Sequence, residues 1–216
     1  MNRYIFFVVT LLICSVANSI EIPKNPDEVD VYIVPMDDFP LGGANQIAKI
    51  MSDDMNLWVK SSVRLGNLHS SKLPGTNQLI FEDIISKSNS IFRSFGDVGE
   101  NTYFLILTTR DINSGAGVLR FLFSGHDKEL NVSVISLQRL VNYKDGKAVF
   151  DEISKMRLYK MMKRAIGEMH YGWKRTIDKQ DIMYAPIMSL KDLDKLGLDH
   201  YEEKQKDSST DSKLLF

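Results

Sequence analysis

Apolar residues follow two rhythms along the chain. Val29 to Val34 is a β-branched run closed by Pro35, the pattern of a short strand. From Ala44 to Leu57, the apolar residues Ile47, Ile50, Met51 and Met55 recur at helical spacing. Trp58 to Leu65 alternates and predicts a second strand. Leu79 to Phe95 repeats Ile80, Ile84, Ile85 and Phe92 and predicts a second helix. Tyr103 to Thr108 is almost continuously apolar, as in a strand buried on both faces. Leu119–Phe123 and Val132–Leu137 predict two further strands, joined around Gly125. The longest helix is expected from Phe150 to Met169, with Ile153, Met156, Met161, Ala165 and Met169 on one side. A short last helix opens at Ser189, with Asp192 at the capping-box position and Leu193 and Leu196 buried. The order βαβα-βββ-αα predicts one α+β (α/β-like) domain with a mixed sheet.

The N-terminus follows a different logic. Arg3 is followed by an apolar run from Ile5 to Cys14, broken only by Thr10, and then by small residues at Ala17 and Ser19. That is the pattern of a secretory leader, and the run is about half the roughly twenty residues a bilayer span needs. The expected division is a leader at 1–19, a domain at 20–203 and a polar, disordered tail at 204–216, with the product secreted or periplasmic.

Composition narrows the chemistry. Apolar content of 44% and charged content of 25% are ordinary for a globular chain. A net charge of −1 gives no electrostatic reason to expect nucleic acid or an anionic membrane as partner. Cys14 is the one cysteine and lies in the leader, so disulfides, thiolate metal sites and thiol nucleophiles are excluded from the expected mature chain.

Three segments, taken together, resemble the archaemetzincins, zinc metallopeptidases of the metzincin group. Leu105–Ile112 is similar to that family's strand ending in a Thr-x-x-Asp turn. Phe121–Gly125 followed by Val134–Leu140 resembles its edge strand and Ser-Leu-x-Arg-Leu pattern. Arg157–Asp194 holds a helix ending in Gly172-Trp173, then Ile182-Met183, then Ser189-Leu190-x-x-Leu193-Asp194, similar to the zinc helix, the Met-turn and the segment after it. The resemblance implies a single metzincin-like domain built around a long zinc helix, with a peptide cleft along an edge strand, here Leu119–Phe123.

The family's helix carries HExxHxxGxxHC. Two His at i and i+4 share one helical face and can hold one Zn²⁺, and the neighbouring Glu acts as base on the bound water. A register taken on Gly167 puts Arg164 at the first His, Ala165 at the base and Glu168 at the second His, with one extra residue before Gly172. A register on Gly172 puts Ala165, Ile166 and Met169 there instead. Both registers lack the two ligands and the base, and Lys174-Arg175-Thr176 stands where the third His would fall. No catalytic residue carries over, and the expectation is a chain without cofactor. Met183, in the Met-turn position, is then a core residue.

Arg164 and Glu168 lie at i and i+4 and can meet on one face. Two readings stay open: the guanidinium standing in for the metal with Glu168 paired to it inside the site, or an exposed pair worth a few tenths of a kcal/mol. His126, in Gly125-His126-Asp127, reads as a turn residue. The expected function is that of a pseudopeptidase, which binds peptide or protein at the edge-strand cleft without cutting it. The alternative is an active zinc peptidase with a rebuilt site, drawing on Glu168, His170, Asp178, Asp181 and His200.

Overall fold

A computed structural model describes residues 28–36, 39–66 and 68–201. The expected leader and tail lie outside the described residues. No helix among the described residues is long and apolar enough to cross a membrane.

Three parallel strands make the centre: β1 (Val31–Pro35), β4 (Tyr103–Thr108) and β7 (Val132–Ser136), each buried along its whole length. Alternate residues feed opposite faces, because successive side chains of a strand point to opposite sides. Val31, Ile33, Tyr103, Leu105, Leu107 and Ile135 join one core cluster, and Tyr32, Val34, Phe104, Ile106, Val132 and Val134 join the other. Helices α1 (Leu41–Met55) and α3 (Glu152–Met169) cover the first face, and α2 (Phe81–Phe92) covers the second. Short β2 (Val59–Lys60) pairs parallel with β1, and β6 (Ser124–Asp127) pairs antiparallel with β7. The sheet order is β2-β1-β4-β7-β6, so the mixed sheet of the α+β reading is present.

Three expectations are corrected, and one element is added. The second strand shrinks to Val59–Lys60, because Ser61 and Ser62 interrupt the alternation and only Leu65 bridges back, to Met36. Leu119–Phe123 is not a strand. The outer strand is the polar segment Ser124–Asp127, since an edge strand with one solvated side needs little apolar content. Ile153 and Met156 are exposed at 52% and 44%, so the apolar side of α3 is narrower than its sequence implies. A hairpin of β8 (Asn142–Lys144) and β9 (Lys147–Val149) also forms, beside the small β3 (Leu79–Ile80) and β5 (Ile112–Asn113) pair. Its turn is Asp145-Gly146, both at positive φ, the Asp-Gly signature of a two-residue hairpin loop.

Candidate functional site

Helix α3 is held by its N-terminal half. Asp151 caps it by accepting from the Ser154 N–H at 2.9 Å. Arg157 donates from Nε and Nη2 to the two carboxylate oxygens of Asp194 at 2.7 and 2.8 Å. Its Nη1 donates to the Leu140 carbonyl and to Asn142. Lys160 donates to the carbonyls of Leu193, Asp194 and Leu196 and so caps the short helix α4 (Leu190–Lys195). Ser189 and Asp192 form the expected N-terminal cap of α4.

The C-terminal half carries different chemistry. Ala165 and Ile166 pack into the core, and Met169 packs against it. Arg164 and Glu168 occupy the remaining face. The Arg164 guanidinium donates to the carbonyls of Ile182 and Tyr184, the latter at 2.8 Å, on either side of buried Met183. Burial pulls the guanidinium down to about 10, aided by the charge of Arg175. Glu168 does not take Arg164 as its ion-pair partner. Its carboxylate meets Lys128 at 3.1 Å and Arg175 at 3.3 Å. Burial pushes the Glu168 carboxyl up, but the Lys128 hydrogen bond and the charges around it prevail and hold it below the usual value. Both sequence readings of the pair are therefore corrected. Arg164 is not an exposed partner of Glu168, and its N–H groups go to backbone carbonyls.

Gly167 and Gly172 shape this end. A side chain at 167 would overlap the Trp173 ring, with its Cβ 2.0 Å from a ring carbon. Gly172 takes φ +69°, which lets the chain leave the helix and fold Trp173 back onto it. Trp173 in turn packs against His200 at 5.0 Å between ring centres. The His200 Nδ1 sits 3.0 Å from both oxygens of Asp181. Asp181 also accepts from the backbone N–H of Met183 and of Tyr201. Burial pushes the Asp181 carboxyl up, yet these hydrogen bonds outweigh it and hold the carboxyl low.

The edge strand completes the site. His126 is a strand residue of β6 and not a turn residue. Its Nδ1 bonds the Ser133 hydroxyl at 2.6 Å and its Nε2 the Ser124 hydroxyl at 3.0 Å. Burial pulls the imidazole down to about 4, opposed by Glu168 and reinforced by Arg175, Arg164 and Lys128. Among the described residues, three cations thus surround one carboxylate and one neutral imidazole. At the start of β6, where Phe123 precedes Ser124, lies a hollow of about 630 Å³ lined also by Phe121, Arg139, Met188 and Leu190. Of the five candidate ligands, Asp181 and His200 come together. Glu168 is engaged with Lys128 and Arg175, His170 caps α3, and Asp178 accepts from the Gln180 N–H.

No protein-family model matches the sequence, and no curated protein sequence does. Solved structures do match. An archaemetzincin from Methanopyrus kandleri aligns with a TM-score of 0.60 at 18% identity, over 82% of this chain and 92% of that one. The fold is archaemetzincin-like. A zinc-dependent peptidase from Methanocorpusculum labreanum aligns at 0.62 and 20% identity, over 77% and 93%. An archaemetzincin from Archaeoglobus fulgidus, complexed with malonate, aligns at 0.55 and 20% identity, over 80% and 96%.

These matches correct the expectation of a chain without cofactor: proteins of this fold include a zinc-dependent peptidase, so zinc is the cofactor the fold points to. The residues on the Arg164–Glu168 face do not fit that ion. Arg164, Arg175 and Lys128 would repel it, Glu168 is already ion-paired, and both His126 nitrogens are hydrogen-bonded to hydroxyls. Among the described residues, no three His, Cys, Asp or Glu side chains converge as metal ligands.

His126, Lys128 and Ser133 were the residues the sequence did not expose. Gly125 and Asp127 read as turn formers, which hid a strand in which Ser124 and His126 share a face at spacing two.

Proposed function

We propose that the chain is an exported pseudopeptidase that binds an extended peptide along β6 without hydrolysing it. The domain would run over 20–203 after loss of 1–19. The observation that carries the reading is Arg164. A guanidinium, and not an imidazole, stands on the helix face that looks at Met183, with Glu168 neutralised by Lys128 and Arg175. Among the described residues, a water on this face would find cations and a paired carboxylate, and no free base to activate it.

Binding has its own support. One residue before the β6–β7 ladder, the Ser136 N–H donates to the Phe123 carbonyl, and within the ladder Ser124 lies opposite Ile135 and His126 opposite Ser133. The alternation of an antiparallel ladder then turns the main-chain groups of Ser124 and His126 away from β7, toward the outer edge. An extended peptide can add there as a sixth strand, with a side chain in the hollow between Phe123 and Met188. Met188 is 70% exposed at that hollow and offers apolar contact.

Display of random peptides on the purified protein tests this. Retained peptides should be apolar at one position and should lose at least about tenfold in affinity when Ser124→Pro removes an outward donor. Retention unchanged by Ser124→Pro would overturn binding at β6.

A further inference from the structure

A second hollow lies on the side of α3 away from Arg164 and Glu168, and it shares Gln138 and Val141 with the hollow at Phe123. It encloses about 700 Å³ between α1, α3 and the β8–β9 hairpin. Leu158, Tyr159 and Met162 line it, whereas Arg164 and Glu168 project from another side of the helix. Its floor is set by the sheet. The chain leaves the carboxyl end of β1 through Phe39 and Pro40 into α1 and returns to β2 on one side. It leaves the carboxyl end of β4 through Thr109 and works toward β6 and β7 on the other. Neighbouring strands β1 and β4 thus send their connections apart, and the crevice between such connections is where open α/β sheets take ligands. Phe39, Pro40 and Thr109 all line the hollow.

The wall chemistry selects the ligand class. Ile47, Ile50, Met51, Leu137 and Phe150 add apolar surface, and Ile50 and Phe150 are 53% and 43% exposed. Apolar groups left in water around a concave space favour an apolar occupant, and the volume falls in the range that holds a small molecule. Lys155 is the single charged side chain among the described lining residues. Its present partner, Glu152, is 88% exposed and so holds it weakly.

We propose that this cavity binds a small single-chain amphiphile, its apolar chain inside and one anionic head at Lys155. The cavity adjoins the hollow at Phe123 through Gln138 and Val141, but its occupation by an amphiphile does not depend on the pseudopeptidase reading.

Dansylaminoundecanoate titrated into the purified protein is the probe. Its emission should rise saturably and be reversed by dodecanoate, with dodecyltrimethylammonium at least about tenfold less effective. Gly43 offers a way to block the space. A Cβ there meets Pro40 and Phe39 at 3.5 and 3.7 Å, ordinary contact distances. Gly43→Ala should therefore keep binding, while Gly43→Trp should cost at least about tenfold in affinity. Ala148→Trp fills the cavity from the hairpin and should act alike, which covers the case in which Gly43→Trp does not fold. Lys155→Glu should weaken dodecanoate several-fold and leave dodecyltrimethylammonium no weaker. Absence of saturable binding, or binding indifferent to both tryptophans, would overturn the cavity. Preference for the cationic amphiphile would overturn the anionic head.

Discussion

The two halves of α3 both carry partly buried cations, and they use them differently. At Arg157 and Lys160 every donor has a fixed acceptor, two of them oxygens of one carboxylate, and the result joins α3 to α4. Two turns on, Arg164 donates to the Ile182 and Tyr184 carbonyls and pairs with no carboxylate among the described residues, while Lys128 and Arg175 share Glu168, with Arg175 no nearer than 3.3 Å. The first arrangement is closed and accounts for a piece of the fold. The second leaves an excess of positive charge beside an edge strand. Charge left over after the fold is accounted for marks the half of the helix where function is to be sought.

The sharpest way to break this contrast is Arg157→Ala. It strands the Asp194 carboxylate and the Leu140 carbonyl, and stability should fall by about 3 kcal/mol in denaturant unfolding. A loss as small as that of a surface pair would erase the distinction. Gly167→Ala comes next. Its methyl would strike Trp173, so a loss of about 2 kcal/mol and a shift in tryptophan emission are expected. Arg164→Ala should cost about 1.5 kcal/mol, because two backbone carbonyls lose a charged donor. A loss below about 0.5 kcal/mol would show water replacing the guanidinium freely and place Arg164 with exposed side chains.

The effect that is smallest at each measured step is a pH slope. His126 is held at about 4 when folded against about 6.5 unfolded, so the unfolded chain binds the extra proton between those values. Its contribution is intact above 6.5 and is lost as pH falls toward 4, by about 1 kcal/mol per pH unit. Unfolding of His126→Phe should lack this slope. An unchanged slope would mean that the imidazole is not buried neutral against Ser124 and Ser133.

Much of the fold was legible in the sequence because its signals are local. The apolar run Tyr103–Thr108 became the central strand, Ser189 and Asp192 capped their helix, and Met183 was buried as expected of a core residue. The site was less legible. Arg164 and Glu168 were identifiable from spacing, but their partners are far away in sequence: Ile182 and Tyr184 for one, Lys128 for the other. His126 was masked by its turn-forming neighbours, since a polar edge strand carries little apolar alternation to betray it. The Asp145-Gly146 hairpin, by contrast, carried a local signal that the apolar pattern alone passes over.

The reading stands or falls on whether a peptide bound along β6 is left whole. Mass spectrometry of a peptide mixture, incubated with the purified protein and zinc, with and without chelator, tests it most directly. Peptides should stay intact at every time point, identical in both arms and unchanged by Arg164→Ala. Cleavage that the chelator stops would contradict it.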